Sequence, residues 1–128
     1  MQSRTHNKID PSLSGDIIEL NESEARVKLL TTLNMITDDS GLVHGGFIFS
    51  LADYAAMVCV NHPNVVLASA TVKFTKPVMV GAELIAEATI NTKHENKFEV
   101  QVQVWDGTDE CFYGEFLCIV TQKHVLSE

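Results

Sequence analysis

Residues 46–60, GFIFSLADYAAMVCV, set Phe47, Ile48, Leu51, Ala52, Ala55 and Val58 three and four residues apart, the period of a helix. Within that run only Ser50, Asp53 and Tyr54 carry polar side chains, and Asn61 and Pro63 end it. A helix this apolar has to be covered almost all round, and a strongly twisted sheet wrapped about it meets that need.

The flanking sequence supplies the strands. DIIEL (16–20) is followed by ARVKLLTTL (25–33), where Ala25, Val27, Leu29 and Leu33 fall on one side and Arg26 and Lys28 on the other. Beyond the helix, VVLASATVKFT (65–75) sets Val66, Ala68, Ala70, Val72 and Phe74 on one face. ELIAEATIN (83–91) does the same with Leu84, Ala86, Ala88 and Ile90. KFEVQVQVW (97–105) alternates most clearly, and CFYGEFLCIVT (111–121) is apolar on both faces, as a covered or central strand would be. Turns fall at KPVMVG (76–81), NTKHEN (91–96) and Asp106-Gly107. The expected fold is α+β, a curved antiparallel sheet of five to six strands around one long helix at about 46–60. Residues 1–15, polar and without periodicity, read as a flexible N-terminal arm, and 16–128 as a single domain.

Composition narrows the function. With 128 residues, 45% of them hydrophobic, the chain can bury a core without disulfide or metal staples. Cys59, Cys111 and Cys118 are odd in number and form no CxxC pair, so they read as reduced thiols packed as small apolar residues. A net charge of -8 with scattered Lys and Arg argues against nucleic acid. No apolar run reaches the roughly 20 residues of a membrane span, and MQSRTHNKIDPSLSGD has no signal-peptide core; a cytoplasmic protein that does not enter membranes is expected.

Ser50, Asp53 and Tyr54 lie at i, i+3 and i+4, one side of the helix. That stripe is either the solvent-facing edge of a buried helix or part of a site. The second reading begins at His44-Gly45-Gly46, where two glycines let backbone N–H groups at the positive end of the helix dipole approach an oxyanion or polarised carbonyl. Asp53 lies two turns further on, roughly 10 Å away by helical rise. One carbonyl could hardly meet Gly46 N–H and Asp53 of the same copy.

HGGFIFSLADYAAMVCVN (44–61) resembles the HGG-x-x-F-x-L-A-D-x-A signature of the phenylacetyl-CoA-thioesterase-like branch of the hot-dog acyl-CoA thioesterases, and LASATVKFTKPVMVGAELIAEATI (67–90) resembles the strand, turn and strand that follow it there. The resemblance implies a hot-dog fold and a homodimer, with dimers of dimers also found in the family. It implies a site at the subunit interface that takes the glycine amide from one chain and the carboxylate from the other. Catalysis would hydrolyse an acyl-CoA thioester to acid and free CoA, with no cofactor and no metal. Gly46 N–H would stabilise the oxyanion. Asp53 would act as general base on water or attack directly to give a mixed anhydride.

The same resemblance assigns His44 to shaping the glycine loop or to proton transfer, and places Gly45, Phe47 and Ser50 beside the substrate. Where relatives often carry Asn or Gln about six residues before the His, this chain has Asp38, which either takes over that role or marks a different loop. Ser69 and Thr71 fall in the region where relatives supply a polar pocket residue; the other reading puts them on a solvated strand face, and a one-residue slip exchanges the faces. Phe47, Phe49 and Met57 are candidates for an acyl pocket, or simply core. Lys73, Lys76, Lys93 and Lys97 are candidates for the CoA phosphates, or solvated charges. His6, His62, His94 and His124 receive no role.

Two rivals share the scaffold. The stretch 68–90 also resembles the effector domain of the malonyl-CoA-responsive lipid regulators, which would make the protein an acyl-CoA sensor. Asp53 and the short N-terminal arm disfavour that reading. A hydroxyacyl-thioester dehydratase would want prolines near the helix start, which GLVHGGF lacks.

Overall fold

A computed structural model describes residues 1–127. The elements in chain order are a one-turn helix α1 (Pro11–Ser14), β1 (Asp16–Leu20), β2 (Glu24–Leu30), the long helix α2 (Gly45–Val60), β3 (Val65–Phe74), β4 (Glu83–His94), β5 (Lys97–Asp106) and β6 (Asp109–Val120). The six strands form one sheet in the order β1-β2-β4-β5-β6-β3, every neighbouring pair antiparallel. It wraps α2 as the hot-dog fold requires.

The alternation in β2, β4 and β5 turns Val27, Leu29, Leu84, Ala86, Val100, Val102 and Val104 onto the concave face, where all are buried. Opposite them Leu51, Ala55, Met57 and Val58 of α2 are buried as well. Each fully buried large side chain contributes about 1.5–3 kcal/mol. The small residues Ala52, Ala55 and Ala56 let the sheet come close to the helix axis. Cys59, Cys111 and Cys118 are unpaired and buried, and burial pushes their thiols up to about 12, 11 and 12, so they stay protonated.

Four local expectations are corrected. The strand expected over 25–33 ends at Leu30, because Thr31 leaves the ladder and bonds to Ala82 O through both its N–H and its hydroxyl, each at 2.9 Å. A single 3-10 turn, Leu33–Met35, follows; it leaves Leu33 73% exposed and buries Met35 in its place. In β3 a bulge after Leu67 shifts the register, so the face that begins with Val65 and Leu67 continues with Ala70, Val72 and Phe74 rather than running through Val66 and Ala68. Tyr54, read as part of the polar stripe, is 8% exposed.

The fourth correction concerns the first fifteen residues, which are packed down rather than loose. Asn61 caps the C-terminus of α2 in a left-handed conformation, φ 55°, its backbone N–H bonded to Met57 O. Its side chain then grips the arm, accepting from Arg4 N at 2.6 Å and donating to Gln2 O at 3.1 Å. Thr5 is buried, and Ser14 reaches Ser50 of α2, hydroxyl to hydroxyl, at 2.7 Å.

Candidate active site

Asp53 sits in the middle of the longest helix, and its Oδ1 is buried without a hydrogen-bond partner. A carboxylate oxygen in that state costs free energy, which burial expresses as a raised pKa, about 6 instead of 3.8. The group is thereby poised to exchange a proton near neutrality. It borders an open cleft of about 400 Å³ lined also by Met57 one turn along, by Val65, Val66 and Leu67 at the start of β3, and by Thr5, His6, Pro63 and His124.

The other half of the expected machinery lies at the helix N-terminus. His44 is the N-cap, and its ring Nδ1 accepts the Gly46 N–H at 3.4 Å, a long and weak bond that a better acceptor can displace. Gly46 is exposed, so a ligand can reach that N–H. Gly45 packs closely for a separate reason: a Cβ there would lie 3.2 Å from the Phe74 ring, which would have to give by a few tenths of an ångström and itself packs edge-on against Phe112 with centroids 5.2 Å apart. A second groove runs past this end of the helix, between Gly45 and Ile48 on one side and Phe74, Thr75 and Lys76 on the other.

The remaining candidates separate. Ser50 is held by Ser14, and Phe47 stands edge-on to the His44 ring with centroids 6.1 Å apart. Asp38 is exposed and forms its own turn, accepting from Ser40 N at 2.9 Å; it does not border the Asp53 cleft. Ser69 pairs with Leu117 and Thr71 with Glu115, whereas buried Phe116 pairs with Ala70; both hydroxyls therefore turn to the convex face, into a groove with Asn91, Glu99 and Glu115. Met57 lines the Asp53 cleft, and Phe49 packs on Phe116 with centroids 5.6 Å apart. Lys76 pairs with Asp109 at 3.0 Å, and Lys93 stands over the Phe98 ring at 5.3 Å.

Sequence reading gave His6 and His124 no role, yet both line the cleft of Asp53. Nothing local could have shown this, since each comes to the cleft from a part of the chain distant in sequence from Asp53. Met57, four residues after Asp53, is the member of the cleft that helical spacing does place.

The model of the thioesterase superfamily matches residues 40–113, more than half of the chain. Methylthioribose-1-phosphate isomerase from Aquifex aeolicus is 51% identical over 119 residues, 93% of this chain and 26% of that protein. Transcription factor FapR from Caldanaerobacter subterraneus is 26% identical over 115 residues, 89% of this chain and 58% of the regulator. The chain thus spans about a quarter and somewhat over half of these two relatives.

Among solved structures, the uncharacterized protein PH1136 from Pyrococcus horikoshii superposes with TM-score 0.98 at 46% identity, covering 99% of this chain and 98% of that one. More distant structures share the fold. PaaI from the E. coli phenylacetic acid degradation operon has TM-score 0.80 at 23% identity, over 88% of this chain and 83% of its own. The protein smu.793 from Streptococcus mutans, solved bound to acetyl CoA, has TM-score 0.81 at 19% identity, over 92% and 97%. Matched by the family model over residues 40–113, this chain belongs to the thioesterase superfamily.

Proposed function

We propose that the protein hydrolyses acyl-CoA thioesters at a site completed by a second copy of itself. The observation that carries the reading is Asp53, half-buried on the central helix with its Oδ1 buried and unpartnered and its pKa raised by burial to about 6, on the border of an open cleft. In this role the carboxylate takes a proton from water as that water attacks the thioester carbon. The electron pair of the C–S bond leaves with sulfur, which collects the proton from Asp53 to give free CoA and the acid.

The developing oxyanion needs a donor, and Gly46 N–H, backed by the helix dipole, suits it; donors of this kind contribute about 2.7–4 kcal/mol. Two turns of helix separate it from Asp53 of the same chain, roughly 10 Å. Strand β3 supports the two-copy answer. It is an edge of the sheet, ten residues long, with Ala68, Ala70 and Phe74 exposed, and such an edge invites pairing with another chain. Val65, Val66 and Leu67 of β3 border the Asp53 cleft, so a two-fold pairing along this edge sets each cleft at the junction and offers it the partner subunit's Gly46.

The test is release of CoA thiol from short, medium, long and aromatic acyl-CoAs by the native protein and by Asp53→Ala, with light scattering alongside. Turnover lost at least a hundredfold in the variant, by a protein that scatters as a dimer in both forms, is expected. A native protein that releases no thiol from any of them overturns the reading. A monomer at micromolar concentration overturns the shared site.

A second reading, an acyl-CoA-binding module without turnover, is favoured by one observation: the match to FapR transcription factors runs over 89% of this chain. The same assay separates the two, since a sensor binds acyl-CoA tightly and its binding survives Asp53→Ala.

A further inference from the structure

The arm that Asn61 clamps down ends its run across the protein at the cleft of Asp53. There His6 adopts a left-handed backbone conformation, φ 56°, which costs a residue with a Cβ about 1 kcal/mol and persists only where the surroundings impose it. The surroundings here are specific. Arg4 and Gln2 are tied to Asn61, Thr5 is buried, and His6 O accepts from Ile9 N at 3.2 Å. The ring is held in turn: its Nδ1 lies 2.8 Å from the Thr5 hydroxyl, and the Tyr54 ring stands 6.3 Å away, centroid to centroid.

We propose that His6 is a second catalytic residue of this site, its Nε2 accepting one hydrogen of the attacking water while Asp53 takes the other. The inference rests on the hydrolase reading above and adds to it a residue from outside the helix. The proposal assigns the tautomer in which Nδ1–H donates to the Thr5 hydroxyl, which leaves Nε2 as an acceptor. Burial lowers the pKa of the imidazole and so keeps it in the neutral form that can accept. Two acceptors hold both water hydrogens, which leaves an oxygen lone pair free to attack the thioester carbon. Asp53 receives the proton and His6 keeps its own, so the step balances with no further reactant. His6 and Asp53 both line the one cleft of about 400 Å³ and share no direct hydrogen bond, and the proposed water sits in that cleft between the two side chains.

The experiment compares kcat and KM of the native protein, His6→Asn and His6→Ala on whichever acyl-CoA of the panel the native protein cleaves fastest. Asparagine tolerates the left-handed backbone, so His6→Asn keeps the arm in place should His6→Ala release it. Expected are a fall in kcat of at least tenfold in both variants, KM within threefold, an unchanged dimer, and partial recovery of His6→Ala activity on adding free imidazole. A purely structural histidine would not be rescued that way. Native kcat in both variants overturns the role of His6 and leaves the hydrolase reading standing, whereas a native protein without turnover overturns both.

Discussion

The Nδ1 of His44 accepts the backbone N–H of Gly46, the very group expected to meet a substrate oxyanion, at 3.4 Å. The cap is weak because it is long, and the N–H has to be surrendered when a carbonyl oxygen arrives. His44→Ala is therefore expected to destabilise the fold by no more than about 0.5–1 kcal/mol, the low end for an N-cap. If the ring only shapes the loop, kcat stays within about fivefold of native. Urea unfolding and steady-state kinetics measure the two effects, and a loss of kcat beyond a hundredfold would assign the ring to proton transfer instead.

Asp53 makes a prediction of opposite sign for stability and for activity. Its folded pKa, about 6, lies above the unfolded value of 3.8, so the folded state binds the extra proton between those pH values and loses stability as pH rises through them. Two pKa units correspond to at most about 3 kcal/mol. Asp53→Asn is expected to be more stable than native at pH 7.5, with most of the difference gone at pH 4. Thermal melts at the two pH values check it. With Asp53 in the proposed role of general base, kcat/KM of the native protein is expected to fall as pH drops below about 6.

Asn61 links the helix cap to the arm. Asn61→Gly keeps the left-handed backbone at φ 55° but removes both bonds to Gln2 and Arg4. The expected cost is about 1–2 kcal/mol, together with trypsin cleavage at Arg4 or Lys8 under conditions where the native arm is protected. Limited proteolysis followed by mass spectrometry reads this directly.

Gly15 joins the arm to the first strand. Its φ is 107°, and a Cβ there would stand 2.7 Å from Val27 Cγ1 and 2.8 Å from Lys28 O. Backbone strain and overlap with a main-chain oxygen act together, so Gly15→Ala is expected to destabilise by about 2–3 kcal/mol or more. Gly81→Ala, with φ 95° and nothing within 4 Å of the added carbon, isolates the strain and is expected to cost about 1 kcal/mol. The difference between the two, taken from denaturant midpoints, measures the overlap.

What could be read along the chain was whatever has a period or a local signature. The helical spacing of Ile48, Leu51, Ala52, Ala55 and Val58 and the alternation of Phe98, Val100, Val102 and Val104 state which face is buried, because each face repeats within a few residues. Asp106-Gly107 announced its hairpin because Gly107 takes φ 61°, which glycine adopts without strain. The His44-Gly45-Gly46 helix start and Asp53 were legible for the same reason, their chemistry and their spacing both lying on one element.

Folding settled what depends on a partner remote in sequence. The bulge after Leu67 puts Val65 and Leu67, rather than Val66 and Ala68, on the face of Ala70, Val72 and Phe74, a one-residue event that no alternation pattern encodes. The burial that lifts the Asp53 pKa exists only in the folded chain. His6 reaches the cleft only because Asn61, more than fifty residues later, holds the backbone that carries it. Such contacts join positions whose separation along the chain is unconstrained, and they exist only once the core has closed.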